Sequence, residues 1–524
     1  MILIYPPVAK PSEPPPGIAR LQGALSRNGV GCTVLDANLE GLFSLLDAPA
    51  WAPGRWTRRA AQNVCANLSA LRNPSGYGNF DRYKRSVMDL NRLLEVASGP
   101  ARVRLSLANY RDSELSPVRS GDLLRAAETP AENPFHPYFS RRLRDLLEEK
   151  SPSVVGFSLN YLSQALCTFA MAGYLRRAFP SLKLALGGGL VTSWMRGSGW
   201  NNPFGGLFDL VTAGPGEDSL LSLGGAGSPR VERCLPEYGS LSDGYLAPGF
   251  ILPYSASSGC WWNRCAFCPE RAEGNPYVPV PARRAVEEIR ALVEATRPVL
   301  LHLLDNAVSP ALLRAIAKNP PGAPWYGFVR VARSLADLDF CLAMKRSGCV
   351  MLKLGLESGD QGVIDSEGKG IDLRVASLAL NTLKKAGIAT YAYLLFGTPS
   401  ETLTEARKTL EFTVKHGEAI DFLNLAIFNM PVRGPESRGL EPKSHYEGDL
   451  SLYTGFSHPR GWDRGLVRQF LDKEFRRHPA IAAILRRDPP FFTSNHAPFF
   501  AQSTSCGDNS SGIGAPVIRR PGTA

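Results

Sequence analysis

From about Phe250 the chain alternates six apolar runs of strand length with stretches of helical period. The runs are FILPYSAS, PVLLHLLD, PWYGFVRVA, VMLKLGLES, IATYAYLLFG and FLNLAIFNM, and the helical stretches are clearest in PARRAVEEIRALVEATR, SLADLDFCLAMKRSG, DLRVASLALNTLKKAG and ETLTEARKTLEFTVKHG. Apolar runs with little polar alternation suit strands buried on both faces, and helices between them suit the crossovers of a parallel sheet. The pattern predicts a partial (β/α)6 TIM-type barrel over residues 250–433, with its ligand face at the C-terminal ends of the strands.

A shorter series precedes it. MILIY, a helix over PPPGIARLQGALSRNG and the run CTVLDAN make a βαβ unit. The alternation resumes with SVVGFSLNY, the helix SQALCTFAMAGYLRRAF, the strands LKLALGGG and FDLVTAG, and a short helix at EDSLLSL. The fold class is therefore α/β, with residues 1–230 as a Rossmann-like doubly wound domain whose glycines fall at strand ends, where such sheets take ligands. Within it, residues of about 40–150 show no strand signal and read as a helical insertion. Residues 231–249 read as a linker, and 434–524 as an irregular C-terminal extension with a disordered tail.

Composition narrows function by exclusion. With 44% hydrophobic residues, 20% charged residues and no apolar run of eighteen, the chain reads as globular, without a membrane span. Its first apolar run stops at Pro6 with no basic leader, which speaks against a signal peptide. Ten cysteines without framework spacing suit reduced thiols and a cytoplasmic location. The formal charge of +11 is spread along the chain, and no nucleic-acid motif stands out. Nothing in the sequence sets the oligomeric state.

Against that background, SSGCWWNRCAFCPE sets Cys260, Cys265 and Cys268 within nine residues, just after the first barrel run. Structural zinc takes four ligands, commonly as two pairs, and no second CxxC or close histidine follows within thirty residues. A [4Fe-4S] cluster ordinarily takes four thiolates, so three leave one iron open to a small molecule. A zinc site and unbound thiols are the competing readings.

This loop, at this place in a barrel, resembles the radical SAM superfamily, and GCWWNRCAFC resembles the subgroup with an N-terminal cobalamin-binding domain. There an aromatic, here Phe267, precedes the last cysteine. The resemblance implies that Cys260, Cys265 and Cys268 are the metal ligands and catalytic cysteines. It implies that S-adenosyl-L-methionine chelates the open iron, and that an electron from a donor such as flavodoxin or ferredoxin cleaves it to a 5'-deoxyadenosyl radical. The spacing here is C-x4-C-x2-C, one residue longer than the usual C-x3-C-x2-C.

The same resemblance makes Asp305, after the second run, and Glu357, after the fourth, candidates for the cofactor, with helix capping as the alternative. LLFGTPSET, with Gly397, Pro399, Glu401 and Thr402, resembles the subgroup's GxPxET turn. Arg330 could meet a carboxylate, and Lys369 in EGKGI matches a loop position of the subgroup. In residues 1 to about 225, Tyr161, Gln164, Gly187, Gly188, Gly189 and Thr192 are the candidates for contact with cobalamin. No D-x-H-x-x-G motif supplies a lower cobalt ligand, and DANLEG carries asparagine at the histidine position. The implied reaction is methylation of an unactivated carbon on a small molecule, such as a natural-product intermediate, or a peptide. The alternatives are cobalamin-independent cyclisation, rearrangement or oxidation, and a non-catalytic iron-sulfur or zinc protein. His496 either lines the barrel mouth or packs among phenylalanines, and packing is the favoured reading.

Overall fold

The computed structural model of the chain describes residues 1–47, 54–99, 102–197, 199–225, 233–241, 243–434, 439–440, 442–443, 448–490 and 496–501. The chain forms two compact units, one built on Met1–Phe250 and the other on Ile251–Lys443 with Phe456–Pro489. The expected disordered tail lies outside the described residues.

The first unit carries a parallel sheet of strands β1 (Ile2–Tyr5), β2 (Thr33–Asp36), β3 (Val154–Ser158), β4 (Lys183–Gly187) and β5 (Leu210–Val211), in the order 2-1-3-4-5. Every residue of β1 and β3 is buried, as a strand covered on both faces requires. Helix α1 (Pro16–Arg27) buries Ile18, Ala19 and Leu25, with proline at its first position, where no backbone donor is needed. The order reverses between β2 and β3, so a crevice for ligands opens at the C-terminal ends of β1 and β3.

Local hydrogen bonding departs from the sequence expectation in three places. CTVLDAN ends as a strand at Asp36, because its Oδ1 accepts the Leu39 amide at 2.8 Å and starts helix α2 (Ala37–Asp47). The insertion is mostly helical but contains an antiparallel pair, Val103–Leu105 with Tyr110–Asp112, too short to show a period of two. The stretch expected as a linker instead lies along the first unit, with Glu237 N–H on Ala19 O at 2.9 Å and Leu246 N–H on Pro11 O at 2.7 Å.

In the second unit, strands β6 (Ile251–Tyr254), β7 (Leu300–Leu303), β8 (Trp325–Val329), β9 (Cys349–Glu357), β10 (Ala389–Phe396) and β11 (Phe422–Ile427) pair parallel in sequence order. Strand β6 stands at one edge of this sheet and β11 at the other, so the barrel is open. Along β8, Trp325 is fully buried with its Nε1 on Ser347 O at 3.1 Å. Tyr326, Phe328 and Arg330 occupy the opposite face. On that face Tyr326 stacks on His302 at 4.3 Å and Phe328 meets Tyr393 at 4.7 Å. His496 is buried, stacked on Tyr391 at 4.4 Å and edge-on to Phe422, so it packs.

Candidate functional site

The cysteine loop leaves the C-terminal end of β6 and is tied at both ends. Ser257–Ser258 pairs antiparallel with Val278–Pro279. Asp305, buried just beyond β7, accepts the Ala256 amide at 3.2 Å and the Ser257 hydroxyl. Both of its oxygens thus hold the loop's entry, the position in which the sequence had offered it to a cofactor. Gly259 has φ +69, and a Cβ there would meet Pro276 O at 2.3 Å, so only glycine fits. Within the lengthened interval between Cys260 and Cys265, Asn263 adopts φ +43, a left-handed turn that asparagine tolerates.

A second loop, from Glu367 to Gly370, grips the first. Ala266 N–H donates to Glu367 O at 2.9 Å and Trp262 Nε1 to Gly368 O at 3.0 Å. Arg330 lays its guanidinium over the Trp262 ring at 3.6 Å, and its Nη2 donates to the carbonyls of Lys369 and, at 2.7 Å, Gly370. A Cβ on Gly370 would lie 2.5 Å from the Trp262 ring. Arg330, a candidate for a ligand carboxylate by sequence, is therefore engaged with backbone.

Lys369 Nζ pairs with Glu357 Oε1 at 2.7 Å, with both side chains nearly buried. Burial alone would lower the Lys369 pKa, but the charges of Glu357 and Cys265 raise it on balance. Glu357 sits at φ +66 on an irregularity of the β9–β10 ladder, so the backbone turns out of register to present this carboxylate. Lys369 also stands 5.6 Å above the Phe267 ring.

Burial pushes the Cys265 thiol up to about 11, against the pull of Lys369, and raises Cys268 as well. The charge of Cys260 acts on both of the other thiols, so the three share one electrostatic site. Trp261 Nε1 is buried beside Cys260 with no hydrogen-bond acceptor. Three thiols beside two cations and an unused donor fit an anionic sulfur-rich group, whose metals would hold the thiols deprotonated. Among the described residues, no three His, Cys, Asp or Glu side chains close around a single ion.

The turn after β10 completes this rim. Gly397 has φ +80 and donates its N–H to Glu401 Oε2, which also accepts Trp462 Nε1 at 3.0 Å. Burial lifts the Glu401 carboxyl to about 7 despite these donors. Pro399 shapes the half-buried turn, Thr402 and Glu405 form the capping box of the helix Leu403–Lys415, and Ser400 Oγ reaches Glu367 Oε1 at 3.1 Å.

In the first unit, the candidates divide. Gln164 is fully buried: its Oε1 accepts the amides of Asn160 at 3.0 Å and Tyr161 at 3.1 Å, and its Nε2 donates to Pro6 O at 2.8 Å. Thr192 Oγ1 donates to Gly188 O and accepts the Gly214 amide, both at 2.9 Å. Gly188, at φ +111, is required because a Cβ would lie 2.4 Å from Leu159 O, and Gly187 would bring one within 3.3 Å of Thr212. Tyr161 is 56% exposed and Gly189 is also exposed, both at strand ends. In DANLEG, Asn38 is buried and its Oδ1 holds the Ala9 amide at 2.7 Å.

Residues 254–413 match the family described as Radical SAM superfamily. That stretch is a radical SAM domain. Two curated relatives are the "uncharacterized methyltransferase PH0819" of Pyrococcus horikoshii, 28% identical over 192 residues, and the "uncharacterized protein MK0932" of Methanopyrus kandleri, 26% identical over 163. These matches take in 34% and 28% of this chain but only 41% and 31% of the relatives, so the chain spans well under half the length of either. Over 93% of its length it shares its fold with 91% of the radical S-adenosylmethionine methyltransferase TsrM from Kitasatospora setae, at 14% identity and a TM-score of 0.54.

Three residues of this radical SAM domain escaped the sequence reading. A Cβ on Gly355 would lie 2.5 Å from Glu357 Oε1 and 2.7 Å from Lys369 Nζ. Gly368 and Gly370, at φ +63 and +62, let the second loop approach Arg264 and Trp262. The spacing GKG is a signal for such a loop, but Gly355 inside an apolar strand carries none. Among the described residues, no helix is long and apolar enough to cross a membrane.

Proposed function

We propose that the chain is a radical SAM enzyme in which Cys260, Cys265 and Cys268 hold a [4Fe-4S] cluster and S-adenosyl-L-methionine takes the remaining iron. The carrying observation is the three-thiol loop at the end of the first barrel strand, with the charged Lys369–Glu357 pair acting on Cys265. Bound there, the cluster would supply the electron that splits the sulfonium C–S bond. This chain's residues do the rest: the half-buried Glu357 offers a carboxylate to an ammonium or ribose hydroxyl, Gly397 lets backbone approach the ligand, and Trp261, Trp262 and Phe267 limit water at the sulfurs.

The first unit is proposed to bind cobalamin, which would supply a methyl group for an unactivated carbon of a natural-product intermediate or peptide. The shared fold with TsrM, whose structure holds cobalamin and a [4Fe-4S] cluster, supports this, as does the exposed Tyr161–Gly189 rim at the strand ends. A second reading, in which this unit only frames the active site, is favoured by one observation. The polar atoms of Gln164 and Thr192 are already spent on the protein itself.

Anaerobic reconstitution with iron and sulfide tests the proposal, followed by electron paramagnetic resonance and an assay for 5'-deoxyadenosine with a chemical reductant. Product formation is expected, and its absence from a cluster-loaded protein would leave a non-catalytic metal protein. Corrin absorbance after incubation with hydroxocobalamin separates the two readings of the first unit.

A further inference from the structure

We infer that Arg330 is a positioning residue that locks the lengthened cysteine loop to the Glu367–Gly370 loop through Trp262. The inference rests on the cluster assignment above for its consequence, though not for its geometry.

A C-x4-C loop has one more residue to order than a C-x3-C loop, and Asn263 alone gives it a turn, not an anchor. The anchor comes from outside the loop. Arg330 extends from the C-terminal end of β8, its guanidinium face 3.6 Å from the Trp262 ring centroid and 5.8 Å from that of Trp261. Its Nη2 donates to two successive carbonyls, Lys369 and Gly370, while Trp262 Nε1 donates to Gly368 O, so three consecutive carbonyls of the second loop are held by one stacked pair. Arg330 Nε is buried and makes no hydrogen bond, so the side chain acts through its face and its fork. Gly370 is the only residue type that fits under the Trp262 ring, since any Cβ would stand 2.5 Å from it. A lysine keeps the charge but has neither the flat face nor the fixed pair of donors, so charge and geometry are separable here.

The test compares wild type with Arg330→Lys, Arg330→Met, Trp262→Phe and Trp262→Ala. In the metal-free proteins, hydrogen–deuterium exchange is followed for the peptide containing residues 260–268, with the first unit as internal reference. In the reconstituted proteins, the rate of iron removal by a chelator is followed. Arg330→Met, Arg330→Lys and Trp262→Ala are expected to speed exchange in that peptide and in the one containing residues 367–370, with the first unit unchanged, and to speed iron loss about tenfold, the scale of a lost cation–π contact. Trp262→Phe, which keeps a ring face, is expected to stay within about threefold of wild type. Full rescue by Arg330→Lys, or unchanged exchange in Arg330→Met, would overturn the inference. If Arg330→Met does not fold, the Trp262 pair still decides, because equal behaviour of Trp262→Phe and Trp262→Ala would overturn it. A wild type that takes up no cluster yet shows the exchange differences would refute the cluster assignment and leave the lock standing.

Discussion

Lys369 Nζ and Glu357 Oε1 meet at 2.7 Å in space that exists only because position 355 has no side chain. Both groups lie on the rim of the cysteine loop, and Glu357 is held there at positive φ. Replacing Gly355 by alanine would drive a methyl group to within 2.5 Å of the carboxylate. Both atoms it would meet are the far ends of flexible side chains that can swing aside, so the expected loss in urea unfolding is small, under about 1 kcal/mol, while the Lys369–Glu357 geometry is disturbed. Binding of S-adenosylmethionine to the reconstituted protein is expected to weaken about tenfold by calorimetry, the loss of one charge-assisted contact. Wild-type affinity would remove the Lys369–Glu357 pair from the cofactor site.

Replacing any one of Cys260, Cys265 and Cys268 by alanine should abolish 5'-deoxyadenosine formation and the cluster's visible absorbance together. Cys65 is exposed, on the helix Val64–Arg72 of the other unit, and serves as the control. Cys65→Ala should change neither signal. Reductive cleavage by the triple alanine variant would refute the cluster assignment.

Glu401 makes stability depend on pH. Its carboxyl is lifted by burial to about 7, above the ordinary carboxylate value of about 4.3 that it regains on unfolding. The stability this group contributes is therefore present below about pH 4.3 and lost as pH rises to about 7. The loss is at most about 4 kcal/mol by linkage. Glu401→Gln keeps an acceptor for the Gly397 amide and Trp462 and cannot ionise. Between pH 5 and pH 8 the urea midpoint of the wild type should fall further than that of the variant. Parallel curves would show that Glu401 does not titrate in that range.

The parts of this protein legible in its sequence are those set by long-range burial. Nine-residue β9 is buried from Cys349 to Leu356, and so reads as an apolar run; the loops around it follow from chain order. What stayed hidden depends on a single atom or a single turn. Asp36 ends a strand by one side-chain hydrogen bond, Gly355 matters for the Cβ it lacks, and Arg330 finds its partners through contacts nearly forty residues apart in the chain. Asp305, Gln164 and Thr192 carry the residue types of ligand contacts, and composition cannot reveal that neighbouring groups of the protein already occupy their polar atoms.

That division gives the first unit a sharp test. Gln164→Leu removes the acceptor of two amides and the donor to Pro6 O, at a fully buried position. Leaving those groups without partners should cost about 2–4 kcal/mol, read from urea unfolding of the first unit. Tyr161→Ala removes an exposed ring whose loss should move stability by less than about 0.5 kcal/mol. If the strand ends take a corrin, Tyr161→Ala should lower hydroxocobalamin affinity several-fold in a spectroscopic titration while the unfolding curve stays in place. Unchanged affinity would exclude Tyr161 from the corrin face, and an unfolding shift as large as that of Gln164→Leu would make it a structural residue.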